Sequence, residues 1–197
     1  MCTVIIILFA AQAVNACDND PNKPNEPNDP NELLRLKWDA VTLVLQNKDI
    51  DQKAKQKQVI DIITPIFDFP LMAKLTLGKK NWSKLSPPQR EKFIQLFVER
   101  LKTSYGEKIA LYTDEKALFE PAVRHEKNVY IPMNLVSKDR IVATVYKLHR
   151  TGDRWRIYDV EIEGVSILLT YRSQFDDILS RGTVEDLLAR LSEQPAR

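Results

Sequence analysis

Residues 129–163 read VYIPMNLVSKDRIVATVYKLHRTGDRWRIYDVEIE, and their apolar residues recur every second position. Val129, Ile131, Met133 and Leu135 fall on one side of a first strand, Val129–Val136. Val142, Thr144, Tyr146 and Leu148 fall on one side of a second, Ile141–Leu148. In a third, Arg154–Glu163, alternation puts Tyr158, Val160 and Ile162 opposite Asp159, Glu161 and Glu163. A period of two is the signature of strands with one buried face. Thr151-Gly152-Asp153 supplies a tight turn between the last two. Ala117–Val123, just upstream, reads as a further short strand. Consecutive short strands with tight connections predict a four-stranded, twisted antiparallel sheet.

Outward from this block the period becomes helical. Asp29-Pro30-Asn31-Glu32 has a capping residue, a proline at the first helical position and an acid at the third. The helix it opens carries Leu34, Trp38, Val41 and Leu45 on one face. A second helix is predicted over about 52–66, with Pro65 ending or kinking it. Asp68-Phe69-Pro70 restarts a short helix that stops at Gly78, and Ser86-Pro87-Pro88-Gln89 opens the longest one, 87 to about 112. Its stripe is Phe93, Leu96, Phe97, Leu101, Tyr105, Ile109 and Tyr112, with a break expected at Gly106. Beyond the strands lie a helix from about 165 to 180 and another capped by Thr183 and Asp186. Helices, then strands, then helices make an α+β fold, a sheet cupped by about six or seven helices.

Composition narrows the function. Among 197 residues, Lys and Arg number 29 and Asp and Glu 27, a formal charge of +2. That balance argues against nucleic acid, which demands a surplus of cations. Five Gly offer no glycine-rich phosphate cradle, and two Cys with two His do not assemble a zinc site of the usual spacing. The expectation is no metal, nucleotide or other cofactor.

The N-terminal residues stand apart. Val4–Ala11 is an apolar run of signal-peptide length, too short to span a bilayer, and Val14 and Ala16 place small residues before Cys17. Residues 1–16 therefore read as a secretory signal. Val14-Asn15-Ala16-Cys17 also resembles a lipoprotein signal, in which the thiol of Cys17 is acylated. Residues 21–32, PNKPNEPNDPNE, place a proline at every third position, the period of polyproline II. At ~3.1 Å per residue this spacer reaches nearly 40 Å. The expected organisation is signal 1–16, linker 17–32 and one domain over 33–194.

Candidate chemistry is sparse. His125 and His149 lie near strand ends with no nucleophile motif beside them. Asp159, Glu161 and Glu163 share a strand face and read as a wet surface rather than an acid–base group. Lys53, Lys55, Lys57, Lys79 and Lys80 read as solvated helix ends, with lipid phosphate as a secondary use. The apolar faces of sheet and long helix either fill one another as core or leave a dry groove, and periodicity does not choose between the two.

A resemblance does choose. Leu77-Gly78, Leu85-Ser86-Pro87-Pro88-Gln89-Arg90-Glu91, Tyr105-Gly106 and Leu111-Tyr112 resemble, in order and spacing, the MlaC family. So do Trp155-Arg156-Ile157-Tyr158-Asp159-Val160, Glu163-Gly164-Val165-Ser166, Tyr171-Arg172 through Phe175, and Leu188 through Leu191. The similarity covers most of residues 50–192. It implies an elongated apolar cavity between sheet and helices that holds phospholipid tails. It also implies a non-enzymatic periplasmic carrier working between an outer-membrane lipoprotein–porin complex and an inner-membrane ABC transporter with an MCE-domain subunit. Within that frame, alternation nominates Val142, Thr144, Tyr146, Tyr158, Val160 and Ile162 as the sheet wall. Phe93, Phe97, Leu101, Tyr105 and Ile109 form the helix wall, and Phe67, Met72 and Leu75 close one end. An acylated Cys17, with Asp18 beside it resembling an inner-membrane retention signal, would tether a carrier whose relatives diffuse freely. Rival readings are a carrier of another lipid such as a hopanoid, a small isomerase-like enzyme, and an adaptor with a filled core.

Overall fold

The computed structural model describes residues 26–110, 116–138 and 140–193, with 107–110 through their backbone. Six α-helices and six strands follow the order expected from the sequence: α1 Pro30–Gln46, α2 Gln52–Ile63, α3 Phe69–Trp82, α4 Pro87–Ala110, β1 Lys116–Phe119, β2 Val123–His125, β3 Asn128–Val136, β4 Ile141–Thr151, β5 Arg154–Ile162, β6 Val165–Ser166, α5 Ile167–Arg181 and α6 Val184–Ser192. A single 3-10 turn, Thr64–Ile66, follows α2 at Pro65. All strand pairings are antiparallel, in the order β1-β3-β4-β5-β6, with β2 also on β3.

The helix starts follow from their caps. Asp29 accepts from the amides of Asn31 and Glu32, with Pro30 at the first helical position. Ser86 and Gln89 exchange hydrogen bonds at the start of α4, and Thr183 and Asp186 form a capping box at α6. Two predicted breaks behave differently. At Gly78 (φ 67°, ψ 161°) the chain kinks, yet helix resumes to Trp82. At Gly106 the helix continues unbroken. Here the missing side chain permits a close approach, since a Cβ would lie 3.1 Å from both Gln56 Nε2 and Ile60 Cδ1 on α2.

Six strands replace the expected four. The stretch read as one strand, Ala117–Val123, divides into β1 and β2 because Pro121 has no amide to continue the ladder. Phe119 pairs with Met133 and Val123 with Tyr130, so one extra residue is accommodated at the step. Strand β6 has only two residues and returns through a tight turn at Glu163 and Gly164, both at positive φ.

A bulge alters the faces of β5. Lys147 pairs with Asp159 but Leu148 pairs with Ile157, leaving Tyr158 as the extra residue. Trp155, Ile157 and Val160 are consequently all buried on the inner face. Tyr158 is displaced to the outer face, against the side expected from strict alternation.

Apolar packing among the described residues forms four clusters, two of them larger than the rest. One, among α3, α4, α5 and α6, centres on Phe93, Phe97, Phe175 and Leu187. The other lies on the inner face of the sheet, where Leu33 and Leu34 of α1 cover Ile131, Leu148, Trp155 and Ile157. Residues before α1 join it: Trp155 Nε1 donates to the Asn28 carbonyl at 2.8 Å, and Arg156 pairs with Glu26 at 2.9 Å. The last part of the proline-asparagine repeat is thus docked on β5.

Candidate functional site

Between the two packed bodies lies a cavity of about 200 Å³, partly open to solvent. Its walls come from α1, α2, the 64–69 segment, the C-terminal half of α4, the inner face of the sheet and the start of α5.

Each wall has a local cause. After the 3-10 turn, the chain at Phe67–Asp68 bridges to the edge of β5, with Asp68 N donating to the Ile157 carbonyl at 2.8 Å. The Asp68 carboxylate caps α3 through Leu71 N and meets His149 Nε2 at 2.9 Å. Pinned at both ends, this corner presents Phe67 and Phe69, stacked at 5.4 Å, to the cavity. Met72 follows, 1 % exposed. On α4, Leu101 and Tyr105 are one turn apart and share the inner face. Burial raises the Tyr105 pKa, and the nearby Tyr171 adds to the effect. On the sheet, Tyr146 and Val160 are cross-strand partners beside Met133 and Ile157.

Of the residues nominated from the sequence, Phe67, Met72, Leu101, Tyr105, Tyr146 and Val160 line this cavity. Phe93 and Phe97 do not. They stack on each other at 6.0 Å and meet Phe175 and Tyr171 edge-on inside the helical core. Periodicity identified their face correctly but not what faces it. Val142 packs with Met133 and Leu135, and Ile162 borders that group. Thr144 is buried on the same sheet face, and Leu75 is half-buried on α3; neither is on the cavity wall. Tyr158 lies on the outer face because of the bulge, its hydroxyl 3.4 Å from that of Tyr130. The Ile109 side chain and Cys17 lie outside the described residues, as does the segment read as a signal.

Several wall residues were not nominated: Leu34, Trp38 and Val41 of α1, Val59, Ile60 and Ile63 of α2, and Ile157 beside the bulge. The α1 set was visible as an apolar face, but nothing in the sequence says that this face fronts a void.

The outer face of the sheet is polar and organised. Lys147 bridges Asp159, at 3.2 Å, and Glu161. Asp159 is 4 % exposed, which corrects its reading as part of a wet face. It also accepts from Ser166 Oγ at 2.8 Å and from Leu168 N at 3.1 Å, so the same carboxylate fixes the start of α5. Burial opposes the Lys147 charge, but hydrogen bonds to Glu161 and Asp159 outweigh it and hold the pKa above the ordinary lysine value. Burial pushes Tyr158 up, aided by Tyr130. Glu163, by contrast, is exposed and pairs with Arg140 at 3.2 Å.

Comparison with known proteins bears on this arrangement. The chain is 26% identical over 122 residues to the toluene tolerance protein ttg2D of Pseudomonas putida, a match covering 61% of this chain and 57% of that one. It is 23% identical over 122 residues to the intermembrane phospholipid transport system binding protein MlaC of Haemophilus influenzae, covering 59% and 57%. The chain thus spans a little over half the length of these curated relatives. Its fold is similar to that of a phospholipid-binding protein from Ralstonia solanacearum, whose structure was solved in complex with a phospholipid. That likeness has a TM-score of 0.74 at 24% identity and covers 83% of this chain and 94% of the other. The sequence profile described as MlaC protein matches residues 37–193, and the chain belongs to the MlaC family.

Proposed function

We propose that this protein is a periplasmic phospholipid carrier, serving a transport system that moves lipid between the outer and inner membranes. The observation that carries the reading is the cavity, walled almost wholly by aliphatic and aromatic side chains at the meeting of sheet and helices. A phospholipid transport binding protein and a phospholipid-complexed fold among its relatives support it.

The physics defines the task. Each methylene exposed to water costs ~0.8 kcal/mol, so two chains of about 16 carbons cost roughly 20 kcal/mol or more. A carrier that offers a dry surface removes most of that barrier. Lipid begins and ends in hydrocarbon, so this chain performs no chemistry and holds no cofactor. Direction is set by docking partners, an MCE-domain subunit of an ABC transporter on one side and an outer-membrane lipoprotein–porin complex on the other. At about 200 Å³ the cavity is smaller than most ligand pockets, so a two-chain lipid spreads its walls on entry. Acylation of Cys17 would restrict the carrier to partners within reach of its tether, and an intact mass lacking a diacylglyceryl group on that cysteine removes this part of the proposal.

The test is co-purification. Lipid extracted from detergent-free protein is quantified for the wild type and for Leu101→Trp and Val160→Trp, which place an indole in the cavity. Phospholipid is expected in the wild type, with a several-fold loss in both variants. Equal lipid in all three contradicts the cavity as the binding site, and a hopanoid in place of phospholipid redirects the assignment of cargo.

A further inference from the structure

We propose that the cavity takes a net-anionic amphiphile, with its head held between Lys37 of α1 and Lys102 of α4, a reading that rests on the carrier function above. Both lysines belong to the cavity wall, and among the described residues they are its only charged side chains and no carboxylate lines it.

Their placement follows from helix geometry. Lys37 is three residues after Leu34 and four before Val41, so it emerges from the buried stripe of α1 rather than from its wet side. Lys102 adjoins Leu101 and lies within one turn of Tyr105 and Gly106, on the wall that α4 supplies. Both side chains are half-buried. A half-buried lysine of this kind can lay its aliphatic stem on apolar surface and keep its ammonium group in water.

The charges are under-compensated. Among the described residues Lys37 makes no ion pair or hydrogen bond. Lys102 reaches only Glu99, at 3.5 Å, and that carboxylate is 70% exposed. Other lysines nearby are already committed: Lys55 donates to the Leu45 carbonyl at 2.6 Å, and Lys57 pairs with Asp61 at 2.6 Å. Two like charges on the walls of one apolar cavity repel each other, and a single negative group between them relieves that repulsion. A phosphodiester without its own ammonium supplies such a group, as does a fatty-acid carboxylate. A zwitterionic head supplies the phosphate together with a compensating cation, and gains less.

The experiment titrates the full chain with dioctanoyl-phosphatidylglycerol, dioctanoyl-phosphatidylcholine and laurate. Binding is read by displacement of a fluorescent acyl probe. The wild type is expected to bind phosphatidylglycerol about tenfold more tightly than phosphatidylcholine, the effect of two lysines near one anionic head. In Lys37→Gln/Lys102→Gln that preference falls to about twofold or less, phosphatidylcholine affinity falling by less than phosphatidylglycerol affinity, and an unchanged far-ultraviolet circular dichroism spectrum reports an intact fold. Lys79→Gln/Lys80→Gln, which removes the same charge elsewhere, keeps the preference. Laurate binding that exceeds phosphatidylglycerol binding and falls in the Lys37/Lys102 variant supports the anionic site and names a fatty acid as its occupant. Equal affinity for both phospholipids overturns the inference and leaves the carrier function standing. A preference that survives in the Lys37/Lys102 variant overturns the assignment of these two residues. Binding of none of the three probes overturns the carrier function itself.

Discussion

The two halves of α4 use one apolar stripe in opposite ways. Phe93 and Phe97, in the first half, are fully buried against Phe175 and Tyr171, with ring centroids 5.4 to 6.1 Å apart. Leu101 and Tyr105, in the second half, face a void. The difference lies in the partner, not the stripe. The first half is enclosed by α3, α5 and α6, whose side chains interdigitate with it. The second half faces α2 and the inner face of the sheet, and Gly106 brings α2 close to α4 without filling the space inside. One helix therefore supplies core packing at one end and a cavity wall at the other.

The largest expected effect lies in the packed half. Phe97→Ala should cost ~3–5 kcal/mol, by deleting a ring with no exposure and leaving a cavity behind. Denaturant unfolding measures it, and a loss below about 1 kcal/mol would mean that this half is loosely packed too. In the open half, Leu101→Trp should change stability by less than about 1.5 kcal/mol, because the added rings occupy existing space. A loss as large as that of Phe97→Ala would erase the contrast between the halves.

The polar face of the sheet offers a second contrast, with comparable stakes. Lys147→Met leaves Asp159 buried without its cation, and should cost ~3 kcal/mol. Lys147→Arg keeps the charge. The pH dependence distinguishes these roles. The folded pKa of Lys147 lies above the ordinary lysine value of 10.5, so its contribution is complete below pH 10.5 and is lost as pH rises through the folded value. Tyr105 and Tyr158, whose folded pKa values are raised above 10.0, add in the same direction. Stability should therefore fall above about pH 10, and less steeply in Lys147→Arg, whose guanidinium does not titrate there. Identical alkaline profiles would remove Lys147 from the account.

The smallest effect belongs to the helix contact at the cavity wall. Gly106→Ala gains helix propensity but brings a methyl to 3.1 Å from Gln56 and Ile60, so the two terms should cancel to within about 1 kcal/mol. A loss of more than about 2 kcal/mol would mean that α2 is held rigidly against α4.

Much of the fold was legible because its signals are local. The pairs Asp29 with Pro30, Ser86 with Gln89 and Thr183 with Asp186 fix helix starts within a few residues of sequence. Alternation in β3 identified its buried face without error. In β5 the same alternation failed, because a tyrosine suits either face and nothing local marks Tyr158 as the extra residue. Strand β6 was missed since two residues carry no period. The cavity was the least legible part. Phe97 and Leu101 are apolar neighbours on one stripe of the same buried cluster, and only the tertiary arrangement gives Leu101 a side on the cavity as well.

Native mass spectrometry of the full chain, purified without detergent, tests the carrier function most directly. A phospholipid carrier gives a population heavier than the polypeptide by the mass of one phospholipid, released on collisional activation. Protein observed solely at its polypeptide mass, and still so after incubation with phospholipid vesicles, would contradict it.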